Sequence, residues 1–398
     1  MSASKSCPES WVARHIAPLP KSGIRDFFEL VNTMDDVISL GIGEPDFVTP
    51  WHIREATMYA LNRGFTSYTS NLGDIRLRKA ICRVAEEKFG TSYRPENECI
   101  VTVGVSEALD IVMRAVLNPG DEVLYHEPCY VSYAPTIAMC HAVPVAVQTH
   151  AEHDFVLQDE ELEKAVTPRT RVLLLNYPNN PTGAGLSLED KRRLADFAVR
   201  HDLLVISDEI YEELTYGERS VSIAALPGMK ERTVLLNGFS KSYAMTGYRI
   251  GYALAEPPII DAMMKIHQYS MLCASSIAQA AALEALQNRE TPRVEMLAEY
   301  RQRRNVIVKR FNDIGLTCFM PRGAFYVFPS IQCMGMDSMA FAKSLLQEQH
   351  VAVVPGSAFG SCGEGHVRCS YATSMEESEE AMRRIGNFVQ YHMAIGKL

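Results

Sequence analysis

The sequence predicts an α/β protein whose main sheet is mostly parallel and is flanked by helices. Short apolar runs typical of buried strands recur along the chain, and amphipathic helical stretches separate most of them. No internal repeat or low-complexity segment favours another architecture. Because such alternation is typical of parallel sheets wrapped by helices, we expect one large sheet. Its seven predicted strands cover residues 99–103, 122–126, 143–147, 171–176, 203–207, 233–236 and 249–254.

The helical stretches between these strands include residues 107–117 and 187–201, and Ser187 is suited to cap the second. After Pro292 the pattern changes to one long charged helix, about residues 293–314, which can connect two domains. Further strands are predicted near residues 324–328, 352–354 and 367–371. We therefore predict a large domain of residues 51–288, a smaller α+β domain of residues 14–50 and 289–398, and an N-terminal arm of residues 1–13.

Composition excludes several classes of protein. The chain has 398 residues, of which 47% are hydrophobic and 22% charged, as in soluble globular proteins. A net charge of −9 argues against a nucleic-acid partner, no apolar run approaches the length of a membrane span, and residues 1–8 lack the hydrophobic core of a signal peptide. The ten cysteines are scattered without metal-binding spacing, which predicts free thiols in a reducing compartment. We expect a cytoplasmic protein without a metal site.

Lys241 is the first candidate for chemistry. An isolated Ser-Lys pair is more often a surface charge, but the apolar run 233–236 places Lys241 just beyond the carboxyl end of a buried strand. Ligands of open α/β sheets bind at that edge. A lysine that forms a Schiff base needs a reachable amine, and a phosphorylated cofactor beside it needs a fixed cation, which Arg249 supplies eight residues later.

Two motifs follow other predicted strands. Asn180 lies in a proline-rich loop, residues 176–183, which holds its amide at the sheet edge, where it can donate to a ligand oxygen; an ordinary turn is an equal alternative. Asp208 directly follows a predicted strand, and its carboxylate can keep a pyridine nitrogen protonated, while Tyr211 can reach a ring oxygen. A helix cap or an ion pair is the alternative for Asp208.

The remaining motifs predict a phosphate site and an aromatic wall. At Gly104, Val105 and Ser106 a strand gives way to a helix, whose first N–H groups and the Ser106 hydroxyl can bind phosphate. Tyr130 offers a face on which a flat heterocycle can stack, although a core tyrosine is the alternative. A lysine, an acid, oxygen-directed donors, an aromatic face and a phosphate site with an arginine together predict pyridoxal 5′-phosphate as the cofactor.

These residues closely resemble those of class I/II aminotransferases of pyridoxal-phosphate fold type I, the aspartate-aminotransferase-like group, from about residue 24 to residue 382. The resemblance implies that Lys241 carries the cofactor and moves the proton at the substrate Cα, assisted by Asp208 and Tyr211. The cofactor-binding residues that it implies are Tyr68, Gly104, Val105, Ser106, Tyr130, Asn180, Asp208, Tyr211, Ser240, Lys241 and Arg249.

The resemblance also implies a homodimer, because Tyr68 matches a tyrosine that reaches the phosphate of the neighbouring subunit. Gly43, Asn180 and Arg368 match residues that bind the substrate, and Arg368 matches the arginine that grips the α-carboxylate. One departure is Gly238, where many relatives carry a phosphate-binding serine, so that Ser240 is expected to take over that contact. The other is Ser106, where some aspartate-selective relatives carry a lysine.

The expected activity is a ping-pong transfer of the α-amino group from an L-amino acid, such as aspartate or an aromatic amino acid, to a 2-oxo acid, with 2-oxoglutarate the favoured acceptor. A β-eliminating cysteine-S-conjugate or cystathionine lyase is the alternative within the family, and a non-catalytic ligand-sensing module is a remote one. The sequence does not identify the donor. Arg25 can meet an acidic substrate or form a surface ion pair with Asp26 or Glu29.

Overall fold

A computed structural model describes residues 11–19, 31, 34–217, 221–288 and 290–395, without the side chains of residues 290–293. The strands of this part are β1 (Ile38–Ser39), β2 (Cys99–Thr102), β3 (Glu122–Glu127), β4 (Val143–Gln148), β5 (Thr170–Asn176), β6 (Leu204–Asp208), β7 (Thr233–Gly238), β8 (Gly251–Leu254), β9 (Tyr326–Val327), β10 (Val351–Ala352), β11 (Val354–Pro355) and β12 (Val367–Ser370).

The main sheet contains seven strands in the order β2-β8-β7-β6-β5-β3-β4. Strand β8 runs antiparallel to both of its neighbours, and the other pairs are parallel. The mostly parallel seven-stranded α/β fold predicted from the sequence is therefore confirmed. Strands β5, β6 and β7 are central and buried, so their carboxyl ends meet at one protected edge.

Helices connect and cover the strands. They are α1 (Trp51–Asn62), α2 (Ile75–Val84), α3 (Gly104–Val116), α4 (Tyr133–Met139), α5 (Asp159–Ala165), α6 (Leu188–Arg200), α7 (Pro257–Ser270), α8 (Ser276–Gln287), α9 (Glu290–Asp313), α10 (Ser338–Gln349) and α11 (Met375–Ile395). Ser187 caps α6 in a reciprocal capping box with Asp190, which confirms the predicted cap. Among the described helices, none combines the length and the apolar character that crossing a bilayer requires.

Several predicted element boundaries are wrong for identifiable reasons. Helix α3 begins at Gly104 rather than at residue 107, because the chain turns directly after β2 and Val103 becomes the N-cap residue. Strand β8 begins at Gly251 rather than at residue 249, because Arg249 has a left-handed φ of 50°. The strand predicted over residues 352–354 is divided between β10 and β11, which lie in different sheets.

Two small sheets lie beyond the main one. Strands β11, β12 and β9 form an antiparallel sheet in that order, and β1 pairs in parallel with β10. Leu40 packs with buried residues between positions 210 and 389, and its carbonyl accepts a hydrogen bond from the Ser370 N–H at 2.6 Å. The segment after β1 therefore runs beside the end of β12 towards the main sheet. The division at residues 14, 51 and 289 stays a prediction.

Candidate active site

A cavity of about 630 Å³ opens at the carboxyl edge of the main sheet. The ends of β5, β6 and β7 form its floor, and residues near β1, β9 and β12 close it from the other side. Of the predicted site residues, those that line it are Gly43, Val105, Ser106, Tyr130, Asn180, Asp208, Tyr211, Ser240, Lys241, Arg249 and Arg368. The cavity thus brings together residues that are up to 325 positions apart in the sequence, Gly43 and Arg368.

Lys241 follows β7 and extends across the cavity. Its Nζ donates a hydrogen bond to the carbonyl oxygen of Gly43 at 2.8 Å, so the amine lies between the main sheet and the segment after β1. Burial lowers the pKa of Lys241 to about 8, and the guanidinium groups of Arg368 and Arg249 act in the same direction, against the carboxylate of Glu44. A lysine with such a pKa is partly deprotonated near neutral pH and can accept a proton.

Asp208 ends β6 and is 5% exposed. The Tyr133 hydroxyl donates to its Oδ2 at 2.8 Å, and the Ile210 N–H donates to its Oδ1 at 3.2 Å. Burial raises the pKa of Asp208 to about 6, and these two hydrogen bonds oppose the rise because they favour the charged carboxylate. Asp208 is therefore mostly ionised at pH 7 and presents a buried negative charge to the cavity.

Asn176 connects the two central strands beneath this carboxylate. It lies opposite Asp208 in the parallel ladder, and its Nδ2 donates to the Asp208 carbonyl at 3.1 Å. Its Oδ1 accepts from the Asn180 N–H at 3.2 Å, and its own N–H donates to His126 Nε2 at 3.2 Å. Asn176 therefore ties the Asn180 loop to the strand that carries Asp208.

Arg368 lies on β12 and is 4% exposed. Its Nη1 donates to Asn180 Oδ1 at 3.0 Å and its Nη2 donates to the Gly41 carbonyl at 2.6 Å, while its guanidinium lies 4.6 Å from the ring centroid of Tyr326. Its Nε has no hydrogen-bond partner, and the partners of its two Nη atoms are an amide and a carbonyl oxygen rather than a carboxylate. A buried guanidinium without an acidic partner favours binding of an anion.

Tyr211 and Tyr326 form a hydroxyl pair at the same wall. Their hydroxyl oxygens are 2.9 Å apart, and burial raises the pKa of Tyr211 well above the usual value of a phenol. The Tyr211 hydroxyl therefore keeps its proton at physiological pH and can donate it in a hydrogen bond. Asn180 is the other predicted donor to a ring oxygen. Its side-chain Oδ1 already accepts a hydrogen bond from Arg368 Nη1.

The predicted phosphate site forms the far end of the cavity. Gly104 has a φ of 74°, and a Cβ on it would lie 2.7 Å from Arg249 Nη2, so the glycine lets the guanidinium approach the start of α3. Arg249 is oriented by donation from Nη1 to the Thr246 carbonyl at 3.0 Å. Ser106 and Ser240 line the same end. Gly104 itself does not line the cavity, and its contribution is to permit this approach.

The close packing around Gly238 explains why this position carries a glycine and not the serine discussed above. It pairs with Gly251 across β7 and β8, and a Cβ on Gly238 would lie 3.0 Å from Gly251 Cα, 3.1 Å from the Ile250 carbonyl oxygen and 3.2 Å from Val105 Cγ2. A serine hydroxyl at this position therefore has little room beside the start of α3. Ser240, two residues after Gly238, is 9% exposed and lines the cavity, whereas the Thr246 hydroxyl, which also lines it, donates to Glu44.

Besides Gly104, Tyr68 is a predicted site residue that does not line the cavity. Tyr68 is 81% exposed and does not line the cavity of its own chain. Its segment is nevertheless fixed, since Asn71 Nδ2 donates to the Leu272 carbonyl at 2.8 Å and Gln279 Nε2 donates to Thr69 Oγ1 at 3.0 Å. Arg25 lies outside the described residues.

Sequence reasoning missed Tyr133, Asn176 and Tyr326. Tyr133 begins α4, and its N–H donates to the Tyr130 carbonyl at 3.2 Å across a turn, so that the two rings meet edge to face at 5.7 Å; its contact with Asp208, 75 positions away, has no local signal. Asn176 is predicted as the last residue of a strand and the first of the Asn180 loop, but without a role in joining the two. Nothing in the local pattern around Tyr326 indicates its contact with Tyr211, 115 positions away.

These groups fit the predicted cofactor. An amine faces the cavity for an aldehyde, the buried Asp208 carboxylate suits a protonated ring nitrogen, and Tyr211 can donate to a ring oxygen. Tyr130 supplies an aromatic wall, and the start of α3 with Arg249 supplies donors for a phosphate. No group of three or more metal-binding side chains occurs in the described ranges.

Comparison with known proteins identifies similar chains over almost the whole length. Residues 35–385 match the family profile of aminotransferase class I and II. The chain is 52% identical over 380 residues, 96% of its length and 98% of the relative's, to YugH of Bacillus subtilis (strain 168), whose name provisionally calls it an aminotransferase. It is 46% identical to an aspartate aminotransferase of Pyrococcus abyssi over 92% of this chain and 94% of that one.

A solved structure gives the same result. The crystal structure of an aromatic aminotransferase from Pyrococcus horikoshii OT3 superimposes with a TM-score of 0.88 and 46% sequence identity. The superposition covers 92% of this chain and 99% of that one. The similarity therefore spans both the main sheet and the elements that close the cavity.

The packing around Gly238 makes a testable prediction. We expect Gly238→Ser to lower the free energy of unfolding by about 1–3 kcal/mol, because the added side chain overpacks the contact with Gly251 and the start of α3. Urea unfolding followed by circular dichroism measures the change. Gly247→Ser is the matched control, since no atom lies within 4 Å of a Cβ at that glycine. Equal stability of the two variants would contradict the proposed crowding.

Proposed function

Because the chain belongs to the class I and II aminotransferases and is therefore a pyridoxal 5′-phosphate-dependent enzyme, we propose that its cavity transfers the α-amino group of an L-amino acid to 2-oxoglutarate in a ping-pong reaction. Aspartate, an aromatic amino acid or a similar compound is the donor. The named relatives include an aspartate and an aromatic aminotransferase, so they support this range and not one member of it. The buried, unpaired guanidinium of Arg368 is the observation that carries the proposal.

The proposed roles at the cofactor follow from charge and position. Bound pyridoxal 5′-phosphate supplies an electron sink for the negative charge that develops at the substrate Cα. Asp208, ionised at neutral pH, holds a proton at the ring nitrogen, and Tyr211 donates to the ring oxygen. Lys241 would hold the cofactor through its amine, and the same amine would move the proton at the substrate Cα, a role suited to a pKa of about 8.

The remaining cofactor contacts are assigned to the walls of the cavity. Tyr130 stacks on the ring and Asn180 contributes its side-chain amide. The phosphate is bound by Arg249, by the hydroxyls of Ser106 and Ser240 and by the Val105 N–H, and Gly104 makes room for the guanidinium. Arg249 thus provides positive charge beside helix N–H donors, which is the combination that a dianion needs.

Substrate binding is assigned to Arg368, Gly43 and Asn180. Arg368 pairs with the substrate α-carboxylate in a bidentate contact, which satisfies the Nε that lacks a partner. Its position is fixed by the Asn180 side chain and the Gly41 carbonyl, so little conformational freedom is lost on binding. The Gly43 carbonyl, which accepts from Lys241, places the carboxylate site beside the reacting amine.

We further infer a cytoplasmic homodimer with shared active sites. Tyr68 projects into solvent at 81% exposure from a segment that is tied to the start of α8, as expected of a side chain that enters a neighbouring subunit. Large apolar side chains are exposed nearby, among them Tyr59, Leu61, Phe65 and Met271. The nine cysteines of the described residues are free thiols, which supports a reducing compartment.

Lys241→Ala tests the covalent role. We expect it to abolish transamination and the near-visible absorbance of the lysine-linked cofactor, because no other amine takes the place of Nζ. Borohydride reduction followed by peptide mass spectrometry should attach the cofactor to the Lys241 peptide in the native enzyme and to no peptide in the variant. Lys309→Ala, an exposed lysine on α9, is the control and should keep both signals. Turnover by Lys241→Ala would overturn the assignment.

Tyr68→Phe tests active-site sharing. We expect the variant to remain dimeric by analytical ultracentrifugation and to bind pyridoxal 5′-phosphate roughly 10-fold more weakly, the loss expected for one hydrogen bond to a charged group. Tyr269→Phe, at another tyrosine with high exposure (88%), is the matched control and should bind normally.

Mixed dimers extend this test. A Tyr68→Phe chain paired with a Lys241→Ala chain contains one site with a native Lys241 and, from the other chain, a native Tyr68. Such dimers should therefore regain tight cofactor binding at half of their sites. If Tyr68 acts within its own chain, or if the protein is a monomer, mixing will restore nothing.

A further inference from the structure

A buried polar pair lies behind the start of α3, outside the cavity. His267, on α7, is fully buried, and its Nδ1 lies 2.6 Å from Oε1 of Glu107, which is 9% exposed. The other carboxylate oxygen, Oε2, accepts from the Val103 N–H at 2.5 Å. Neither side chain lines the cavity, and neither takes part in the chemistry proposed above.

Glu107 fixes the turn from which the proposed phosphate site is built. Val103 is the N-cap residue of α3, and its side chain cannot cap the helix. Its own N–H donates to Glu107 in the first turn of the helix. Gly104, with a positive φ, follows at once, and Val105 and Ser106 then face the cavity. The direction in which their N–H groups point therefore depends on the bond between Glu107 and Val103.

His267 is the hydrogen-bond partner of the buried Glu107 carboxylate. A carboxylate in the first turn of this helix is favoured by the helix dipole, but it lies one residue from a site proposed for a dianion, and its burial requires a partner. Donation from His267 Nδ1–H provides that partner on the side away from the cavity. Since His267 Nε2 has no hydrogen-bond partner, the tautomer with its hydrogen on Nδ1 satisfies the carboxylate and leaves only a lone pair at Nε2.

The pair also joins α3 to the end of α7. The His267 carbonyl accepts from the N–H groups of Met271 and Leu272 at 2.8 and 2.9 Å, so this residue fixes the turn at the end of its helix as well. A displacement of His267 would therefore alter both α7 and the first turn of α3.

We infer that Glu107 and His267 are positioning residues for the cofactor phosphate, which act by holding the Val103–Ser106 turn in its anion-binding conformation. This inference rests on the proposed phosphate contacts of Val105, Ser106 and Arg249. The pair therefore affects binding of the phosphate and does not affect the contacts to the ring nitrogen, to Lys241 or to the substrate carboxylate.

The test compares two ligands that differ only in the phosphate. Equilibrium dissociation constants of pyridoxal 5′-phosphate and of pyridoxal are measured by fluorescence titration of the cofactor-free protein. We expect Glu107→Ala to weaken pyridoxal 5′-phosphate roughly 10-fold or more, because the turn loses a charge-assisted hydrogen bond. Pyridoxal, which lacks the phosphate, should change by less than a factor of about 3.

Two further variants separate positioning from folding. Glu107→Gln keeps a carbonyl oxygen for the Val103 N–H and an amide that can bond to His267 in its other tautomer. That tautomer puts a hydrogen on the partnerless Nε2, so the variant should melt at a lower temperature than the native protein, yet it should bind pyridoxal 5′-phosphate more tightly than Glu107→Ala does. The double variant Glu107→Leu and His267→Leu replaces both polar groups by apolar ones, which commonly preserves stability, yet leaves Val103 without its acceptor. It should melt near the native temperature and still lose affinity for pyridoxal 5′-phosphate but not for pyridoxal.

The outcomes are decisive in either direction. The inference is overturned if Glu107→Ala and the double variant bind both ligands as the native protein does, or if they weaken both ligands equally. Arg249→Met distinguishes failure of this inference from failure of the phosphate assignment. If Arg249→Met weakens pyridoxal 5′-phosphate selectively and the Glu107 variants do not, only the positioning role is wrong. If Arg249→Met also has no selective effect, the phosphate site itself is misassigned.

Discussion

Burial of charged groups at the carboxyl edge of the main sheet is the constraint on which the rest of this site depends. Asp208 and Arg368 are almost fully buried, and the hydrogen bonds that their side chains make in the described part of the chain are to uncharged groups. An ion removed from water in this way costs several kcal/mol unless polar contacts replace its hydration. Tyr133 and the Ile210 N–H supply such contacts to Asp208, and Asn180 and the Gly41 carbonyl supply them to Arg368. Both charges therefore remain available to a ligand of opposite charge.

The same constraint explains the backbone beneath the cavity. Asn176 ties the Asn180 loop to the strand of Asp208, so the groups assigned to the ring oxygen and the ring nitrogen are held by one side chain. At the other end, Gly238 and Gly251 allow β7 and β8 to approach the start of α3 closely. Burial also lowers the pKa of Lys241 to about 8. The same physical cause therefore removes water from the Asp208 carboxylate and the Arg368 guanidinium and favours the neutral form of the amine.

Much of this arrangement could be predicted from sequence because parallel strands deliver their following residues to a common edge. Lys241, Asp208 and Asn180 each follow an apolar run, and all three line one cavity. Hydrogen bonds between distant segments could not be predicted, because no local sequence pattern indicates them. They join Tyr133 to Asp208, Tyr211 to Tyr326, and Glu107 to His267. Helix α3 was predicted to begin three residues late, because apolar periodicity marks a packed helix face and not the turn that precedes it.

Transfer of the amino group itself is the most direct test of the proposed site. The purified enzyme, loaded with cofactor, would be given a ¹⁵N-labelled L-amino acid from a panel that includes aspartate and tyrosine, followed by 2-oxoglutarate. If Arg368, Lys241 and Asp208 act as assigned, one equivalent of 2-oxo acid per site is released before the acceptor is added, and ¹⁵N then appears in glutamate. Continuous release of pyruvate and ammonia from cystathionine without any acceptor, together with no ¹⁵N in glutamate, would contradict aminotransfer and indicate β-elimination.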